Sequence, residues 1–164
     1  MLRFATTSEY PPFSYKTGDV IEGIEADLTR KIADKMGMEY RLEAMSFDAL
    51  FAALASNKID AAIACITITP QRSQQLDFST PYYTTNQAIV SRSDSPLIIN
   101  NEQDLGKYTI GTLRNTTGHV YIVEHLLEKD LMPKKNLNPS LPFRKVIYLQ
   151  RRHLAILWSL HELT

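Results

Sequence analysis

Apolar and polar positions change period several times along the first 90 residues, and each change marks an element. Leu2 to Thr6 predicts a short strand, closed by the turn-forming Tyr10-Pro11-Pro12. Lys16-Thr17-Gly18-Asp19 reads as a hairpin or loop tip. Ile24, Leu28, Ile32 and Met36 then recur every fourth position, the spacing of one helical face, and Gly37 supplies a C-terminal stop. A second helix is expected from Ser46 as N-cap, with Phe47, Leu50, Phe51 and Leu54 on its apolar face. Asn57-Lys58 breaks it before Ile59 to Ala64, a run suited to a buried strand. Strands and helices therefore alternate, which predicts an α/β sheet with crossover helices.

Thr69-Pro70 has the form of a helix start, an N-cap hydroxyl followed by proline at the first helical position. Ala88-Ile89-Val90 predicts another strand, and a polar linker, Ser91 to Asn101, follows it. A new strand is expected at Tyr108 to Gly111, then a helix from about Thr117 to Leu131 with Val120, Val123 and Leu127 on one face. These shifts place a domain boundary near residue 90. The end of the chain differs in character: Pro133, Pro139 and Pro142 punctuate one stretch, and Arg151-Arg152-His153 opens a helix-like run, Leu154 to Leu160.

Composition narrows the function classes. The 164 residues are 44% hydrophobic and 22% charged, values of a folded domain rather than a disordered chain. Lys+Arg and Asp+Glu both number 18, and no basic stripe is present, so nucleic acid is not an expected partner. The single cysteine, Cys65, excludes an internal disulfide and reads as a small buried residue. The N-terminus lacks the charged and apolar regions of a secretory signal, and no window approaches the roughly 20 apolar residues that span a bilayer.

Three segments could carry binding chemistry. Cys65 to Arg72, leading to Asp77-Phe78-Ser79-Thr80-Pro81-Tyr82-Tyr83, puts hydroxyls and backbone N–H groups at a strand end with an arginine one short turn later. A guanidinium grips a carboxylate through two parallel bonds, and helix-start N–H groups add donors. On spacing alone, the same residues describe an N-capped surface helix with a solvated arginine. Tyr10 and Phe47 are candidates to face each other across a groove, where rings bury an aliphatic stem; core packing is the plainer reading of any one aromatic. Phe13, Phe51 and Phe78 read as core. Thr112 to Gly118 is a strand-to-helix turn whose N–H groups suit an anion, or a capping turn that needs no ligand. His119, His125, His153 and His161 show no metal-ligand spacing, and Glu22, Glu25 and Asp27 are expected to favour a helix start through its dipole.

Taken together the chain resembles the periplasmic amino-acid-binding proteins of ABC importers, the extracellular solute-binding proteins of family 3. The matching stretches include Tyr10-Pro11-Pro12-Phe13, Gly23 to Leu28, Phe47 to Leu50 and Lys58 to Ala61. Thr67 to Arg72, Asp77-Phe78-Ser79, Pro81-Tyr82-Tyr83 and Thr116-Thr117-Gly118 continue the order. The resemblance implies a two-lobed periplasmic-binding-protein-like α/β fold of type II, with residues 1–90 as lobe one and 91–164 as a partial lobe two. It implies a protein that closes on a free polar or basic amino acid and delivers it to importer membrane subunits, without catalysis, cofactor or metal, in the periplasm. Carried onto this chain, Arg72 would hold the ligand carboxylate, helped by Thr67 and the turn at Thr117. Tyr10 and Phe47 would sandwich the side chain, and the Cys65 carbonyl would accept from the ligand ammonium. Thr7 stands where binders of basic ligands often have an acid, and Asn115 replaces the usual turn glycine.

The resemblance also implies departures at the end of the chain. The lobe-two strand with its ammonium-binding Asp and the return segment of lobe one are expected to be missing, as in a truncated or frameshifted gene. Weak or absent binding by an isolated monomer is expected from that loss, and an unpaired sheet edge would favour a domain-swapped or edge-paired homo-oligomer. The rival readings are a periplasmic cyclohexadienyl or arogenate dehydratase-like enzyme and a ligand-sensing domain of a receptor.

Overall fold

The structure, a computed structural model, describes residues 1–86, 89, 98–132, 134, 137–138 and 151–158, the last two segments as backbone. The chain divides into two compact units: Met1–Thr85 with Arg152–Thr164, and Asn86–Arg151.

The first unit begins with strand β1, Leu2–Thr6. A small antiparallel sheet follows, made of β2, Glu9–Tyr10, β3, Ser14–Thr17, and β4, Val20–Glu22. The anticipated hairpin tip joins β3 to β4, with Gly18 at φ 62°. Helix α1 spans Ile24–Met36 and ends on Gly37 in the left-handed conformation, as its sequence predicts. Its buried face is not the expected one. Ile24 and Met36 are exposed, whereas Glu25, Thr29 and Ala33 are fully buried. The core-facing stripe, Glu25, Thr29 and Ala33, is displaced by one residue from the apolar repeat.

Strand β5, Tyr40–Ala44, helix α2, Phe47–Ala55, and strand β6, Ala61–Thr67, complete the alternation. Ser46 is the N-cap of α2 by position but makes no side-chain cap bond. Leu50 and Leu54 of α2 are wholly buried with Ala62 and Ile66 of β6, and Phe47, Phe51 and Phe78 pack on that core. The short helix α3, Pro70–Ser73, starts on Thr69, whose hydroxyl accepts from the Arg72 N–H at 3.3 Å. Strands β7, Asp77–Phe78, and β8, Tyr83–Asn86, follow.

In the second unit a 3-10 turn, Glu102–Lys107, is closed at its start by a capping box between Asn101 and Asp104. Strand β9, Ile110–Gly111, precedes helix α4, Thr117–Ile122, and a π-helical segment, Val123–Leu127. The helix expected to Leu131 thus ends sooner, and Ile122 and Leu126 rather than Val120 face the core of Leu105, Ile110 and Met132. Strand β10, Leu137–Asn138, pairs in parallel with β9. Of the strand expected at 88–90 only Ile89 is described, outside any strand, and most of the 91–101 linker lies outside the described residues.

The tail requires a correction. The run expected as a helix from Leu154 is strand β11, Arg151–Trp158. It pairs antiparallel with β6 and β7, so the sheet runs β5-β1-β6-β11-β7, with β8 on β11. The return of the chain to the first unit's sheet, expected to be missing, is present as this one strand. A short apolar run cannot be assigned by periodicity alone, and the open edge of β6 decides it through backbone pairing.

Candidate functional site

Strand β1 lies between β5 and β6, and all three run parallel. Their carboxyl ends bring Thr7, the start of α2 at Phe47, and the segment Cys65 to Thr67 to one edge of the sheet. In open α/β sheets ligands are held outside these strand ends.

Arg72 is fixed at this edge from two sides. Its Nη1 donates to the Thr67 carbonyl at 2.8 Å. Its guanidinium carbon lies 5.6 Å from the Phe47 ring centroid and 5.2 Å from that of Phe51, within cation–π range. The two rings meet edge to face at 5.3 Å. Arg72, Thr67 and Phe47 are therefore brought together, with Arg72 on the capped turn that Thr69-Pro70 announced. Phe51, read from sequence as core alone, is also part of the seat of the guanidinium.

A second cluster is built on Glu25. Its side chain is 1% exposed, a depth rarely seen for a carboxyl group without partners. The Cys65 N–H donates to Glu25 Oε1 at 2.7 Å and lies 3.2 Å from the Tyr82 hydroxyl. Tyr82 donates to the same Oε1 at 2.6 Å, and Thr6 Oγ1 lies 3.1 Å from Oε2. Cys65 itself has φ 49°, the left-handed region, which costs a non-glycine residue about 1–2 kcal/mol. Burial, and then Glu25 nearby, push the Cys65 thiol well above its ordinary range, so it is held as a neutral thiol. Burial and Glu25 push the Tyr82 phenol upward as well. Glu25 is thus more than a helix-dipole carboxylate. The signal that could have found it is its spacing with Thr29 and Ala33, at i, i+4 and i+8 on one face of α1.

Tyr10 reaches this edge through a backbone clamp. The carbonyls of Pro12 and Phe13 accept from the N–H groups of Ile24 and Glu25 at 3.1 and 2.9 Å, capping α1 with the loop itself. Gly23 makes this possible: its φ is 115°, and a Cβ there would lie 2.5 Å from the Phe13 carbonyl oxygen. The Tyr10 ring stacks on Phe13 at 5.6 Å, and Phe13 meets Tyr83 edge to face at 5.1 Å. Burial raises the Tyr10 phenol pKa, with smaller contributions from Cys65 and Glu25. Phe13, expected in the core, belongs to this aromatic row. Thr7 contributes its carbonyl to local order, accepting from Ser14 Oγ at 2.5 Å.

Thr117 belongs to the second unit, where it is buried at the first residue of α4. The Thr116 hydroxyl accepts from the His119 N–H at 3.3 Å and donates to the Leu113 carbonyl at 2.6 Å. Asn115 takes φ 60°, the left-handed turn its side chain tolerates. The plain capping reading accounts for every one of these bonds. His119 accepts from the Asn115 N–H, and His125 stacks on Tyr121 at 3.9 Å. Among the described residues no group of three or more His, Cys, Asp or Glu is placed to hold a metal, and no helix is long and apolar enough to cross a membrane.

Comparison with known proteins agrees with this architecture. The chain is 41% identical over 110 residues to the arginine-binding extracellular protein ArtP of Bacillus subtilis (strain 168), an alignment covering 67% of this chain and 42% of that protein. It is 33% identical over 122 residues to the ABC transporter arginine-binding protein 1 of Escherichia coli (strain K12), covering 74% of this chain and 49% of that one. The chain therefore spans about half the length of the curated relatives it matches. Among solved structures, an ancestral arginine-binding protein bound to arginine superposes with a TM-score of 0.84 at 25% identity, covering 98% of this chain and 85% of that one. These neighbours are two-lobed amino-acid-binding proteins, the fold class that the sequence implied. Residues 2–146 match the model of one family, and the chain belongs to it: the bacterial extracellular solute-binding proteins, family 3.

Proposed function

We propose that this chain binds a free basic or polar amino acid, of the L-arginine type, for delivery to the membrane subunits of an ABC importer. The observation that carries the reading is the seat of Arg72. Its guanidinium is fixed by the Thr67 carbonyl and by two aromatic rings at the carboxyl end of β6. A guanidinium held in one orientation loses little freedom when it closes on a planar α-carboxylate, which it matches bidentately. In this reading Arg72 takes the carboxylate, Thr67 and the Cys65 carbonyl serve as further polar contacts, and Tyr10 and Phe47 supply apolar surface. Thr7 leaves that part of the site uncharged. The names of the relatives support a cationic side chain on the ligand, and the family's description supports a site of action outside the cytoplasm.

No reaction is assigned to the site in this proposal, and turnover of prephenate or arogenate by the purified chain would contradict that part of it. The binding claim is tested by a thermal-shift screen against the twenty common amino acids, since a ligand that binds only the native state raises the melting temperature. Weak binding is what the isolated monomer is expected to show, so the expected result is a small rise with L-arginine or a chemically related amino acid at high ligand concentration. A flat response across all twenty would overturn the proposal.

A further inference from the structure

Glu25 is buried outside the set of residues assigned to the ligand, yet it is bonded to one of them. Its Oε1 accepts from the Cys65 N–H at 2.7 Å and from the Tyr82 hydroxyl at 2.6 Å. Cys65 is one of four non-glycine residues with positive φ among the described residues, and it is the one inside a strand of the main sheet. A left-handed residue inside a strand interrupts the alternation of side chains and turns its own N–H away from the ladder. Here that N–H finds Glu25. The conformation costs energy in isolation and persists only where the surroundings impose it.

We infer that Glu25 is a positioning residue, whose carboxyl group holds Cys65 in its left-handed conformation and so fixes the strand end that carries the Cys65 carbonyl and Thr67. Tyr82 completes the device, since its hydroxyl bridges the same carboxyl oxygen and lies within reach of the Cys65 N–H. The partners come from three separate stretches: the start of α1, the end of β6, and the residue just before β8. A change at position 25 therefore acts on ligand affinity without touching ligand. The link to affinity rests on the proposed amino-acid binding, whereas the hold on Cys65 does not.

The test separates the two. In the unliganded wild-type chain, the Cys65 amide proton, bonded to a carboxyl oxygen, is expected far downfield in a proton–nitrogen NMR spectrum and slow to exchange. An exposed, unshifted amide would overturn the hold itself. Glu25→Gln, which puts an N–H₂ group where one carboxyl oxygen stood, is expected to move that resonance upfield and to weaken L-arginine binding by about tenfold, the worth of one hydrogen bond. Glycine adopts positive φ without support, so in a Cys65→Gly background the added loss from Glu25→Gln is expected to fall below about threefold. An equal loss in both backgrounds would overturn the inference. Should Glu25→Gln alone fail to fold while the double variant folds, the hold is supported. If neither folds, Glu25 serves the core at large and the inference fails. If the wild type binds no L-arginine, the proposed function falls, and the amide resonance still decides the role of Glu25.

Discussion

The Arg72 guanidinium donates to the Thr67 carbonyl at 2.8 Å while lying over the rings of Phe47 and Phe51. The donor lies five positions after the acceptor, and the capped turn at Thr69-Pro70 closes that distance. Lysine keeps the charge but lacks the planar fork and the stacking face. Arg72→Lys is accordingly expected to weaken L-arginine binding by about tenfold or more while changing the unfolding free energy by less than about 1 kcal/mol. Titration calorimetry and urea unfolding of the same variant check both halves.

Tyr82→Phe removes one of the two groups donating to Glu25 Oε1. The expected loss of stability is about 1–3 kcal/mol, because a buried acceptor loses a partner. The pH dependence has a definite sign. Burial and Glu25 hold the native phenol pKa above that of the unfolded chain, so this contribution is complete below about pH 10 and declines as pH rises beyond it. Urea unfolding across that range should show a shallower alkaline decline in Tyr82→Phe than in the parent.

Asp60 titrates at the other extreme. Arg3 donates to it from Nε at 3.1 Å, from Nη2 at 2.6 Å and from the backbone N–H at 2.7 Å. The Arg3 side-chain bonds lead in holding the carboxyl below its usual range. Its contribution is therefore present above about pH 4 and lost as pH falls through the depressed native value. The pair is 41% and 34% exposed, and solvent screening limits it to about 1 kcal/mol. Asp60→Asn should cost that much at pH 7 and progressively less as pH falls below about 4.

Gly23→Ala tests the clamp that brings the Tyr10 loop to α1. The added Cβ meets the Phe13 and Pro12 carbonyl oxygens at 2.5 and 2.7 Å, and φ 115° is a strained angle for alanine. A stability loss of about 2–4 kcal/mol is expected from strain and backbone displacement together. Weaker L-arginine binding should accompany it, since Tyr10 moves with the loop. Circular dichroism melts and calorimetry measure the two effects.

Much of this architecture is legible in the residues. The four-residue repeat ending at Gly37 gives α1, and Phe47, Leu50, Phe51 and Leu54 give α2 with its buried face. Thr69-Pro70 gives the turn that seats Arg72. What escapes periodicity is whatever tertiary contact decides. The core face of α1 carries Glu25, Thr29 and Ala33, one residue round from the apolar repeat, and that rotation is a tertiary outcome. The depth of Glu25 depends on Tyr82, 57 residues away, and no local pattern reports that pairing. The strand at Arg151–Trp158 forms against an edge that its own sequence does not encode.

The most direct measurement is a paired calorimetric titration of the chain with L-arginine and with agmatine, which keeps the guanidinium side chain but lacks the carboxylate. Saturable binding of L-arginine, with agmatine bound at least about a hundredfold more weakly, is the result expected if Arg72 reads the carboxylate. Agmatine binding as tightly as L-arginine, or no binding of either, would contradict it.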